Sequence, residues 1–423
     1  VTTSANNSPL IPFQRETLPN GTTLLIKENR SVPLAAVDLW VATGTANELP
    51  EEGGISHFLE HLFFKGTRNR PVGVMDREIK SLGGYNNAAT SYDFTHYYVV
   101  LPAEHVNLAL DILLDALMNM ELPVEEIERE RQVVLEEIAR RDDNPLGKLY
   151  DDFLSKIFEG TPYQFPILGT AESLAGIDRD KFLDYRRRHY GANSLHIAVA
   201  GDVDAASVST RVRELTDALP GTDATRGPEV NGNSLAAPLE FEIHKDVQQT
   251  YFLYGNRTPS IQGTPDEIAL DLISTILGDG RSSRLVSRLV ERTGLCSTAT
   301  AFVWTLDRVG MFGVETCHPD ENEDEVLSIV WEELDRIREE PIPDVELEKA
   351  KTLMLTSYAF SLEKTSSMAG VLGRNSANGQ LDAVLTYPQR VKAMTAEKAR
   401  EAFNRCCPKG LHAIGFVRPE KKS

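Results

Sequence analysis

His57-Phe58-Leu59-Glu60-His61 decides the reading of this chain. On a helix, residues four apart lie one above the other, so His57 and His61 can reach a single ion, with Glu60 on the same side. Gly53-Gly54 stand before the run and Gly66-Thr67 after it as a stop signal, while Phe58, Leu59, Leu62, Phe63 and Phe64 surround the polar trio with apolar bulk. Two histidines on an amphipathic helix can be satisfied without a metal. In an apolar setting, however, each unpaired polar group costs about 1–3 kcal/mol, and one divalent metal is a partner for all of them.

The order H-x-x-E-H, with the Glu beside the second His, is that of the inverted zincins. Catalytic zinc takes three protein ligands and leaves one position open, so a third ligand must come from elsewhere. The acidic helix expected after Pro123 supplies candidates: in Val124-Glu125-Glu126-Ile127-Glu128-Arg129-Glu130-Arg131-Gln132-Val133-Val134-Leu135-Glu136-Glu137-Ile138, Glu130 and Glu137 lie two turns apart on one face. A solvated charged face is the plainer account of such a run.

HFLEH followed 76 residues later by a Glu within ERQVVLEE resembles the pitrilysin, insulin-degrading enzyme and mitochondrial processing peptidase family, in particular its short zinc-bearing subunits. The resemblance implies one Zn2+ per chain held by His57, His61 and Glu137. It makes Glu60 the general base and Glu130, seven residues before Glu137, a supporting acid grouped with Glu60 in catalysis. Glu136 breaks that spacing. A second match runs from Gly83-Gly84-Tyr85-Asn86-Asn87-Ala88-Ala89-Thr90 to Tyr97-Tyr98-Val99-Val100-Leu101. In the family this is an edge strand to which the substrate adds, which implies Asn87 and Ala88 as substrate contacts. The residues alone are equally served by an ordinary hairpin.

Composition agrees with a soluble globular protein. The chain has 423 residues, 41% hydrophobic and 25% charged, enough for two or three domains, and no apolar run reaches the roughly 18 residues of a membrane span. A net charge of −19 argues against nucleic acid as a partner and favours basic peptides. Cys296, Cys317, Cys406 and Cys407 show no metal-binding spacing and read as reduced thiols. Val1 to Pro12 lacks a signal pattern, so the expected location is cytoplasmic, or an organelle matrix or stroma if a targeting segment was removed.

The pattern is α+β. A zinc-binding domain is expected over 1–222, a Gly/Pro/Asn-rich linker over 223–238, and a diverged second domain over 239–423. Leu110–Ile138 has a counterpart in Leu327–Tyr358, and aligning Pro123 with Pro343 sets Ala350 opposite Glu130 and Ser357 opposite Glu137. Only the first copy can hold the metal. The resemblance implies two homologous domains, each a mostly antiparallel sheet packed against helices, together forming half of a clamshell that acts on unstructured peptides.

Active members also present an Arg and, seven residues later, a Tyr. Here Val290 and Ser297 take those positions. The expectation is therefore a heterodimer whose homologous partner supplies the Arg-Tyr pair, with a homodimer as the alternative. Some relatives are non-catalytic structural subunits, but these lose the metal ligands that this chain keeps.

Overall fold

The computed structural model describes residues 12–222, 230 and 235–420. The linker expected at 223–238 lies outside them apart from Val230 and residues 235–238.

Two compact units emerge, one from described residues within Val1–Ile138, Phe165–Gly227 and Ala359–Thr386, the other from Ala139–Gln164, Pro228–Tyr358 and Tyr387–Ser423. They differ from a simple division at 223–238 by one exchanged segment each, for a reason of packing. The Pro145–Ile157 helix buries Leu149 and Phe153 within the second unit, where a Cβ at Gly255 would lie 2.9 Å from Phe153, and one at Gly415 would lie 2.6 Å from Phe241 and 3.1 Å from Leu149. Conversely, the Thr365–Ala377 helix places Met368, Ala369 and Leu372 against Leu25, Ala36, Ala198 and Ala200 of the first sheet. Gly373 permits that contact, since a Cβ there would sit 2.2 Å from Trp40 Cδ1.

The first unit holds six strands: β1 (Gln14–Thr17), β2 (Thr23–Glu28), β3 (Leu34–Val41), β4 (Tyr85–Thr90), β5 (Thr95–Pro102) and β6 (Leu195–Gly201), in the order β1-β2-β6-β3-β5-β4. The second holds β7 (Leu239–Lys245), β8 (Thr250–Pro259), β9 (Thr298–Thr305), β10 (Val309–His318) and β11 (Ala413–Pro419), in the order β7-β11-β8-β10-β9. Apart from β1, the two sheets repeat one plan. In each, a single parallel pair (β2 with β6, β7 with β11) precedes three antiparallel pairings. The fold is thus α+β with two mixed sheets, and the duplication read from the two helix-proline-helix segments extends to the strands.

Those segments are also present. The Val106–Asn119 and Val124–Asp143 helices flank Leu122 and Pro123, with Leu122 at φ 52°, and the Glu323–Glu339 and Asp344–Ser361 helices flank Pro341 and Pro343. A proline at the entry to the second helix of each pair lacks the N–H that would continue the first. One face of the first sheet buries Val37, Leu39, Tyr97 and Val99 against Phe58, Leu59, Phe63, Leu110 and Leu113. The two histidines are therefore carried on a helix anchored in this core. All four cysteines are free and buried, and no helix among the described residues is long and apolar enough to cross a membrane.

Candidate metal centre

The HFLEH run lies in the Ile55–Leu62 helix, whose Ile55, Phe58, Leu59 and Leu62 are buried while His57, Glu60 and His61 are half-buried on the remaining face. Its start is built by two features. Gly54 adopts φ +88°, and a Cβ there would lie 2.7 Å from the Leu168 carbonyl, so only glycine fits. Glu48 supplies the cap: its carboxylate oxygens accept the N–H of Gly54 at 2.8 Å and of Ser56 at 2.9 Å. Behind the first turn, the Ser56 hydroxyl meets Tyr185 Oη at 2.7 Å, and Tyr185 also meets Thr43.

Across from this face runs the Val124–Asp143 helix. Glu137 Oε2 lies 3.6 Å from His57 Nε2 and 3.5 Å from His61 Nε2, and the ligand atoms of the three residues all lie within 4.8 Å of one another. The neighbouring Glu136 is exposed. Ligands at about 2.1 Å in a tetrahedron stand about 3.4 Å apart, so the two spacings to Glu137 fit zinc. Burial pushes the His57 imidazole down to about 3, with His61 adding to the effect, which leaves His57 neutral at pH 7 as a ligand must be.

Glu130 sits two turns earlier and does not join the trio. Its Oε2 is 3.2 Å from His61 Nδ1 and its Oε1 is 2.6 Å from Lys65 Nζ. His57 Nδ1, by contrast, is buried without a partner among the described residues. Glu60 accepts a 2.6 Å hydrogen bond from the Thr90 hydroxyl on β4. Burial raises its carboxyl above the usual carboxylate range, a shift aggravated by Glu137 and opposed by the Thr90 hydrogen bond and by His61 and His96.

The second matched segment forms the β4–β5 hairpin at the edge of the sheet. Ala88 stands opposite Tyr97 and packs against the core, whereas Asn87 stands opposite Tyr98, so their side chains take opposite faces. Asn86 donates instead to Asp76 at 3.2 Å. Sequence reasoning missed Glu48 and Lys65 as neighbours of the site, and held Thr90 only as part of the matched strand run. Lys65 alone carried a local signal, lying one helical step of four beyond His61.

In the second unit, Val290 falls within a π-helical stretch, Val286–Arg292, and Ser297 donates to the Cys317 carbonyl and to Gln249. Neighbouring Arg288 is paired with Glu332 and Glu333.

Residues 23–171 match the model of the insulinase peptidase family M16, and residues 176–354 match that of the M16 inactive domain. The chain is 32% identical to an uncharacterized zinc protease of Rickettsia felis over 86% of this chain and 87% of that one. It is 30% identical to the uncharacterized zinc protease YmxG of Bacillus subtilis over 86% and 88%. Among solved structures, a protease from Helicobacter pylori matches with a TM-score of 0.90 at 25% identity, covering 97% of this chain and 100% of that one. A peptidase M16 inactive domain protein from Pseudomonas fluorescens shares the fold, with a TM-score of 0.88 at 19% identity and coverage of 97% and 98%. Family models over both halves and relatives along most of the length agree with the two-sheet plan: the chain belongs to the M16, or insulinase, family of peptidases.

Proposed function

We propose that this chain is a zinc metalloendopeptidase acting on unstructured peptides, with His57, His61 and Glu137 holding one zinc ion and Glu60 as general base. One observation carries the reading: two imidazole nitrogens and a carboxylate oxygen converge at the spacing of a tetrahedral zinc site, with a raised carboxyl, Glu60, on the same helix face. When bound, zinc supplies a Lewis acid and brings the pKa of water to about 7. Thr90 steadies one oxygen of Glu60, and the carboxylate takes a proton from the attacking water and passes it to the leaving nitrogen. Glu130 orients His61 from behind.

The substrate adds as a strand to the edge of β4. Because Asn87 and Ala88 send their side chains to opposite faces, both contribute chiefly backbone groups there, which suits recognition of many sequences in one extended form. The oxyanion donors are the missing part: Val290 and Ser297 offer no Arg-Tyr pair, and Arg288 is committed to Glu332 and Glu333. The chain accordingly works as the zinc-bearing subunit of a heterodimer whose homologous partner provides them. A scaffold role is disfavoured by the convergence of His57, His61 and Glu137 themselves.

Hydrolysis of a quenched unstructured peptide by the zinc-loaded chain, alone and mixed with homologous partner chains, tests this. Chelator-sensitive activity that rises at least tenfold on mixing supports the reading. No hydrolysis with any partner overturns the peptidase assignment, and full activity alone overturns the heterodimer.

A further inference from the structure

Glu130 is an acid in a demanding place. Its side chain is 8% exposed, so as a carboxylate it needs partners for both oxygens. It has one for each: Lys65 Nζ at 2.6 Å from Oε1, and His61 Nδ1 at 3.2 Å from Oε2. Lys65 follows the Ile55–Leu62 helix on the side that carries His61, just before the chain turns away at Gly66 with φ +108°. The three residues form a continuous line, ammonium to carboxylate to imidazole, ending at the Nε2 that faces Glu137 at 3.5 Å.

We propose that Lys65 is a positioning residue for the metal: by holding one oxygen of Glu130 it aims the other at His61 Nδ1, and so fixes the ring that presents Nε2 to the ion. The asymmetry between the two imidazoles supports this. His57 Nδ1 has no partner among the described residues, so the Lys65–Glu130 pair is the anchor on which ring orientation at this site depends. A carboxylate held at one oxygen only can turn about its last bond, and His61 then loses a fixed acceptor. Partners of metal-bound histidines are commonly worth about 10–100-fold in metal affinity. Lys65 acts at one remove, so the lower end of that range applies.

The inference rests on the zinc assignment to His57, His61 and Glu137, and the experiment separates the two. Zinc affinity is measured by competition with a chromophoric chelator for wild type, Lys65→Met, Lys65→Arg, Glu130→Gln and the Lys65→Met/Glu130→Gln double variant, with circular dichroism of each metal-free form. Lys65→Met should weaken zinc about tenfold, Lys65→Arg should recover most of that loss, and the double variant should match Glu130→Gln within twofold. Affinity of Lys65→Met within twofold of wild type overturns the proposal, as does a double variant weaker than Glu130→Gln by the full Lys65→Met factor. Should Lys65→Met fail to fold, Lys65→Gln is read in its place by the same criteria. Wild type that takes up no zinc refutes the metal assignment itself, and the inference with it.

Discussion

Thr90 donates a 2.6 Å hydrogen bond to Glu60, tying the edge strand β4 to the helix that carries both histidines. The candidate base and the candidate substrate-binding strand are thus registered to each other by one side chain, within a single unit of the fold.

Thr90→Val keeps the shape of the residue and removes the donor. A hydrogen bond to a charged group is worth about 1.5–3 kcal/mol, so kcat should fall about 10–100-fold with KM nearly unchanged, and Thr90→Ser should restore most of it. Steady-state kinetics on one peptide checks this. A matching rise in KM with kcat intact would show instead that Thr90 serves the strand and not the base.

Buried histidines should withdraw stability from the metal-free chain on acidification from pH 6.5 to 4. Burial lowers His189, His196 and His318 to about 4 and His57 to about 3, so the folded state holds these rings neutral while unfolded imidazoles take up protons from about pH 6.5 downward. Stability from these groups is therefore complete above 6.5 and lost as pH falls. Glu48 and Asp271, raised to about 7 by burial, and Asp38 and Glu60, raised likewise, push the other way, so the histidine contribution is read as a difference. His318, fully buried, contributes about 3 kcal/mol. Urea midpoints of wild type and His318→Gln across this range give the test: the wild-type midpoint should drop relative to that of the variant as pH falls, and parallel profiles contradict it.

Gly54→Ala should cost about 2 kcal/mol or more, since φ +88° is combined with a Cβ placed 2.7 Å from the Leu168 carbonyl. The damage falls at the first turn of the Ile55–Leu62 helix. Thermal melting should show it, together with weaker zinc retention, whereas alanine at Gly73, also at positive φ but with no atom within 4 Å, should be milder. Equal losses at the two glycines would remove the steric argument.

What was legible in the sequence was whatever repeats at helical spacing. His57, Glu60 and His61 fall on one face because four residues nearly complete a turn, and Glu130 and Glu137 share a face because seven nearly complete two. The step from one helix to the other was not readable from periodicity, because no local rule says that Glu137 and not Glu136 meets the histidines. Family resemblance bridged it, and the geometry puts Glu137 near His57 and His61 with Glu136 exposed. Glu48 and Thr90 reach the site from loop and strand by contacts 8 and 30 residues apart in sequence; no pattern announced Glu48, and Thr90 stood in the matched strand run without a role. The exchange of the Pro145–Ile157 and Thr365–Ala377 helices between units escaped for the same reason: an amphipathic helix shows that it has an apolar face, not which sheet will cover it.

Zinc held by His57, His61 and Glu137, with Glu60 as a base and not a ligand, is tested by metal content and peptide hydrolysis measured side by side on wild type, Glu60→Gln, His61→Ala and Glu137→Ala in the active assembly. Wild type and Glu60→Gln should each hold one zinc per chain, turnover should fall about 100-fold or more in Glu60→Gln, and the other two variants should lose both metal and activity. Full zinc occupancy in Glu137→Ala, or undiminished turnover in Glu60→Gln, would contradict it.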